Sequence, residues 1–225
     1  AFEAERSFAA NAAHELRTPL AGAIAQAQRL QAETADAAVR ARAADMEATL
    51  KRLTRLSERL MQLARAEGGR LRIDGAGDLR TIARLVADDA GQAAGQRRIA
   101  LNLPGQPVMS DLDPDAFGIL LRNLIENALR HGADEHPVEV TLSPDGLLTV
   151  ANDGPAVPAE TIARLTARFE RGGSGREGSG LGLAIVAAIA ERLGSELILR
   201  SPRPGQARGF EAEIRLPAGA PVASG

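Results

Sequence analysis

Residues 120–132 read "LLRNLIENALRHG". Written on a 3.6-residue helix, Leu121 and Leu124 or Ile125 join Phe117 on one side. Asn123, Asn127 and Arg130, spaced by four and three, line the other. Asp113-Pro114 supplies an N-cap followed by proline at the first helical position, and Gly132 supplies the stop. This amphipathic helix stands among strands. Ile99 to Leu103 precedes it, and Val138 to Ser143 and Leu147 to Asn152 follow, flanking the hairpin signal Pro144-Asp145-Gly146. The alternation continues outward. Asp78 caps a helix running to about Ala90, and a short helix is expected near Thr161 to Phe169. A glycine-rich loop over 172–180 then leads into a helix ending at Leu193, with strands at 196–201 and 210–216. The pattern predicts an α/β sandwich, helices on one face of a mixed sheet.

The first third has a different period. From Phe2 to about Ala66 apolar residues recur every three or four positions, with Phe8, Ala12, Leu16, Leu20, Ala23, Ala27 and Leu30 in one stripe. Met46, Leu50, Leu53, Leu60 and Leu63 form another. A break at Glu33 to Asp36 makes this an antiparallel helical hairpin. Two such helices cannot surround their own narrow apolar stripes, so a homodimer closing a four-helix bundle is expected. Glycines at 68, 69, 75 and 77 suggest a linker over 68–77. The expected layout is therefore the hairpin over 1–67, that linker, the α/β domain over 78–217 and a tail over 218–225.

Composition narrows the chemistry. The chain has 225 residues, no cysteine, three histidines and a formal charge of −2, which excludes disulfides and thiolate metal sites and disfavours a zinc enzyme or nucleic-acid binding. No run of about 18 apolar residues spans a bilayer. Within "AAHELRTPL" (12–20), His14 lies on the helix side opposite Ala12 and Leu16, with Glu15, Arg17 and Thr18 beside it. Pro19 is expected to bend the helix just after this cluster. An exposed imidazole is largely neutral at pH 7 and keeps a nitrogen lone pair, as a nucleophile at phosphorus requires; a solvated surface histidine looks the same.

The other motifs gain meaning from one another. The amides of Asn123 and Asn127 suit a Mg²⁺ that keeps much of its water, and Arg130 suits phosphate oxygens, although a polar solvated face would carry the same residues. Asp153 follows a strand and precedes Gly154, where its carboxylate can accept from an adenine amino group or simply serve a turn. Gly178, Gly180 and Gly182 would let backbone N–H groups approach phosphate at a helix start. Without a following Lys-Ser or Lys-Thr they form no Walker A loop.

Together these segments resemble the catalytic core of bacterial sensor histidine kinases of two-component systems. "FAANAAHELRTPLAG" is similar to the H box, "RNLIENALRHG" to the N box, "NDGPAVP" to the first glycine box and "ARFERG" to the F box. "GSGLGLAIV" is similar to the second glycine box and "GFEAEIRLP" to the closing strand. The resemblance implies a dimerisation and phosphotransfer hairpin followed by a gyrase-type ATP-binding sandwich. His14 would accept the phosphoryl group, Glu15 its proton, and Thr18 would orient water in a phosphatase reaction. Asn123 and Asn127 would hold Mg²⁺ near Arg130 and His131, and Asp153 and Gly154 would shape the adenine site. Phe169 and Arg171 would anchor one end of a lid and Gly178, Gly180, Leu181 and Gly182 the other.

Two positions depart from the family pattern: Ala156 stands where glycine is usual, and "GFEAE" lacks a threonine. The resemblance further implies ATP as phosphoryl donor, a response regulator as partner, and a soluble cytoplasmic core whose parent is anchored in the inner membrane through an N-terminal sensor portion. A nucleotide-gated module that never phosphorylates itself, and a gyrase-like DNA ATPase, are the competing classes. The first has no use for an H box, and the second lacks a basic surface and carries Asn123 where a glutamate base is needed.

Overall fold

The computed structural model describes residues 2–95, 99–167 and 180–219, with side chains from Leu16 onward. The chain divides into two units, residues 1–68 and 69–225.

The first unit is the helical hairpin: α1 (Phe2–Glu33) and α2 (Ala37–Gly68), each 32 residues long. The Asp36 carboxylate accepts from the backbone N–H groups of Ala38 at 2.7 Å and Val39 at 3.3 Å, satisfying the donors that a helix start leaves open. Ala27, Ala43, Leu63 and Ala66 are buried in this unit, and the alanines let the two backbones approach closely. Leu16, Leu30, Met46, Leu53 and Leu60 remain between 40% and 57% exposed. The helical geometry of α1 continues unbroken through Pro19.

The second unit opens with a departure from expectation. Residues 72–77, expected within the linker, join Asp78 in β1 (Arg72–Asp78), which pairs antiparallel with β3 (Met109–Leu112). The glycines that suggest a linker instead make a bulge: the register shifts between Arg72 and Gly77, and Gly75 has φ +103°. Asp78, the last residue of β1, caps α3 (Leu79–Ala93) through Arg80 N and also accepts from Val108 N at 3.1 Å. The Arg80 guanidinium beside it holds the Asp78 carboxyl down at about 2. The tail joins the same ribbon. Ser110 Oγ donates to the Pro217 carbonyl, and Gly219 N donates to the Met109 carbonyl at 2.9 Å.

The main sheet has five strands in the order β2 (Ile99–Asn102), β4 (Val138–Leu142), β5 (Leu147–Asn152), β7 (Phe210–Arg215), β6 (Leu197–Arg200). Among the described residues only its β2–β4 pair is parallel. Helices α3, α4 (Pro114–His131) and α6 (Gly182–Leu193) pack side by side against it. Phe117, Leu121, Leu124 and Ile125 of α4 meet Ile185 and Ile189 of α6 and Leu148, Val150 and Ile214 of the sheet in one core, all at most 2% exposed. The short helix expected to reach Phe169 is α5 (Ala159–Ile162), ending in turns over 163–166.

Candidate functional site

Where α4 ends, the sheet opens a cavity of about 320 Å³, within the range of small-molecule sites. Asn127 and His131 line it from α4, and Asn152 from the end of β5. Pro155 to Pro158, Leu165 and Phe210 supply an apolar lining. Two glycines make this meeting of helix and strand close enough. A methyl group on Gly132 would fall 2.6 Å from the Ala128 carbonyl oxygen and 3.0 Å from Asn152 Cβ; one on Gly154 would fall 3.1 Å from the His131 carbonyl oxygen. Ala133 N donates to the Asp153 carbonyl at 2.7 Å, stitching the helix end to the strand end.

The expected site residues separate under this geometry. Asn127 and His131 face the cavity, and Arg130 is exposed beside them. Asn123, one turn earlier, is 1% exposed, and its Nδ2 donates to the Ile119 carbonyl at 2.7 Å; it does not line the cavity. Its spacing from Asn127 matches a helical face, but a polar residue further from the helix end meets core, not cleft. Asp153 also departs from the expected place. Its Oδ1 accepts from Gly154 N at 2.8 Å, its Oδ2 from Arg208 Nη2 at 2.7 Å and lies 3.3 Å from His136 Nε2, and it is absent from the lining. Successive side chains on an extended strand point to opposite sides, so the cavity receives Asn152 instead. The signal was present in the sequence: Leu148, Val150 and Asn152 share one face of β5.

Gly180 has φ +67°, Leu181 is fully buried, and Gly182 opens α6. Phe169, Arg171 and Gly178 lie outside the described residues. In the hairpin, His14 and Glu15 fall on α1, their side chains outside the described residues; Thr18 is exposed, and Arg17 Nη2 lies 3.5 Å from Glu58 Oε1 of α2. Among the described residues no three His, Cys, Asp or Glu side chains gather to hold a metal ion, and no helix is long and apolar enough to cross a membrane. The amide of Asn127 fits a Mg²⁺ held mainly by water and substrate phosphates, as that ion prefers, and does not fit an all-protein cage.

Residues 4–69 match the His Kinase A (phospho-acceptor) domain, and residues 112–220 match the histidine kinase-, DNA gyrase B-, and HSP90-like ATPase domain. The chain belongs to the sensor histidine kinases. This kinase core is 33% identical to the sensor protein QseC of Escherichia coli over 93% of the chain and 47% of that protein. It is 34% identical to the swarming motility regulation sensor protein RssA of Serratia marcescens, over 93% and 46%. The chain thus spans about half the length of these relatives. The fold of the kinase core is shared with full-length ShkA, solved in complex with AMPPNP, at a TM-score of 0.72 and 24% identity over 96% of this chain and 47% of that one. It is also shared with the histidine kinase AdeS of Acinetobacter baumannii, at 0.59 and 22% over 91% and 98%.

Proposed function

We propose that this kinase core phosphorylates itself on His14 from ATP and passes the phosphoryl group to an aspartate of a response regulator. The observation that carries this is the cavity at the end of α4, where Asn127, His131 and a buried amide meet an apolar floor, in the same chain as a histidine-bearing hairpin. Transfer needs the γ-phosphorus brought in line with a neutral imidazole nitrogen. The nitrogen lone pair forms the N–P bond as the bond to the bridging oxygen breaks, ADP leaves, and Glu15 takes the imidazole proton. Mg²⁺, held by Asn127, would screen the phosphate charge. His131 and Arg130 would attend the phosphates, while Gly180, Leu181 and Gly182 start the helix whose N–H groups suit an anion. Asn123 supports the helix from inside.

The exposed apolar residues of α1 and α2 support a homodimer, and Thr18 beside the phospho-acceptor supports a regulator phosphatase. Relatives about twice as long leave room for a sensing portion, and the proposed setting of this core is the cytoplasmic side of a membrane that carries it.

Incubation with ATP labelled at the γ-phosphate tests the reading. The expected product is acid-labile, base-stable label on the parent protein and none on His14→Gln; an unlabelled parent would leave only a nucleotide-binding module. Chased onto a receiver domain, the label should decay with the parent protein present and persist about tenfold longer with Thr18→Ala.

A further inference from the structure

Between β6 and β7 the chain makes a loop over residues 201–209, and both ends of that loop reach the segment Pro155 to Pro158 that lines the cavity. Ser201 Oγ, at one end, donates to the carbonyl of Gly209, at the other, at 2.6 Å. The same oxygen accepts from Val157 N at 2.8 Å. Gly209 N donates to the Gly154 carbonyl at 2.8 Å, so the loop holds the approach to the lining segment as well as its middle. The loop is itself fixed. Arg203 makes two parallel bonds to Glu139 of β4, Nη1 to Oε1 at 3.0 Å and Nη2 to Oε2 at 2.8 Å. A methyl group on Gly209 would fall 2.7 Å from Arg203 Cδ and 2.8 Å from the Asn152 carbonyl oxygen.

The lining segment depends on such tethers. Pro155 and Pro158 carry no N–H, which leaves Ala156 and Val157 as its backbone donors, and Pro155, Ala156 and Pro158 are exposed, so burial does little to hold them. Its far end is secured where the Pro158 carbonyl accepts from Thr161 N at the start of α5. A hydroxyl has one proton and two lone pairs; Ser201 spends the proton on its own loop and a lone pair on Val157. We propose that Ser201 is a positioning residue for the nucleotide, its hydroxyl setting the cavity wall through Val157 without lining the cavity itself. The inference rests on the nucleotide reading of the cavity and extends it to a residue outside the lining. Alanine at 201 strips Val157 N and the Gly209 carbonyl of this partner and lets the wall shift, while Asn127, His131 and Asn152 stay on α4 and β5. Threonine keeps the hydroxyl and with it both bonds.

The test is a calorimetric titration of the 225-residue chain and three variants with ADP in the presence of Mg²⁺. Ser201→Ala should bind ADP about five- to tenfold more weakly than the parent, and Ser201→Thr within about twofold of it. Ser195→Ala is the matched control, because Ser195 Oγ donates to the Arg215 carbonyl at 2.6 Å beyond the other end of β6, away from the wall. It should keep the parent's affinity within about twofold, whatever it costs in melting temperature. In self-phosphorylation the loss in Ser201→Ala should fall on the KM for ATP, which a smaller folded fraction would not raise. An affinity unchanged in Ser201→Ala, an equal loss in Ser195→Ala, or a threonine that fails to restore binding overturns the proposal. If Ser201→Ala does not fold, amide hydrogen exchange on the nucleotide-free parent decides: Val157 should exchange slowly, and exchange as fast as that of a solvated loop amide overturns the proposal. A parent that binds no ADP sinks the nucleotide reading and the inference together, whereas four proteins that bind it alike sink the inference alone.

Discussion

Gly132 ends α4 with φ −73°, a conformation open to any residue, so its lack of a side chain serves space and not backbone freedom. Alanine there would press on the Ala128 carbonyl and on Asn152 at once. Gly132→Ala should therefore lower the unfolding free energy by about 1–3 kcal/mol and weaken ADP binding through displaced Asn152; thermal unfolding and titration on one preparation check both. An unchanged melting temperature would mean that the helix end yields without cost. The pair Asn152-Asp153 shows what was legible at this scale. Carboxylate before glycine has the chemistry of a base acceptor, and that chemistry alone favours Asp153. Strand parity turns Asn152 toward the cavity, because a polar residue in step with Leu148 and Val150 has to face inward.

At the scale of elements, capping chemistry was easiest to read. Asp113-Pro114, Gly132 and Asp78 mark helix ends where α4 and α3 begin or stop, because local side-chain to backbone bonds determine them. The β1–β3 ribbon was not legible. Its partners are 31 residues or more apart in the chain, β3 has only 4 residues, and glycine carries as much weight in a bulge as in a linker. Asp78 joins ribbon and helix, and its titration gives a test. Its carboxyl falls from an ordinary 3.8 to about 2, chiefly through Arg80, so the native state binds the proton less readily than the unfolded chain. The stabilisation is complete above about pH 4 and is lost as the pH falls through about 2. Asp78→Asn keeps a capping side chain but removes the charge. It should cost about 1–2 kcal/mol at pH 7, with the gap to the parent closing toward pH 2; denaturant unfolding at several pH values measures it.

At the scale of the molecule, most of the exposed large apolar side chains among the described residues lie on the hairpin. Leu16 and Leu30, fourteen residues apart, and Met46, Leu53 and Leu60, seven apart, repeat as a coiled-coil seam does, and all are exposed in the single chain. The parent should sediment as a dimer at micromolar concentration, and Met46→Glu with Leu53→Glu should shift it to monomer, since a carboxylate buried in such a seam has no partner. A monomeric parent would show that the seam has another occupant. The division into hairpin and sandwich was legible because hydrophobic period changes between them, whereas no local period announces a return of the chain to its own first strand. That return does occur: Gly219 lies so near Ala76 that a methyl group on it would come within 2.5 Å of Ala76 Cβ. The described end of the α/β unit thus closes like a clasp on its own first strand. The exposed tip at Pro144-Asp145, ahead of the buried Gly146, is then the natural place to cut a circular permutant, or to splice in a fluorescent reporter, away from the cavity.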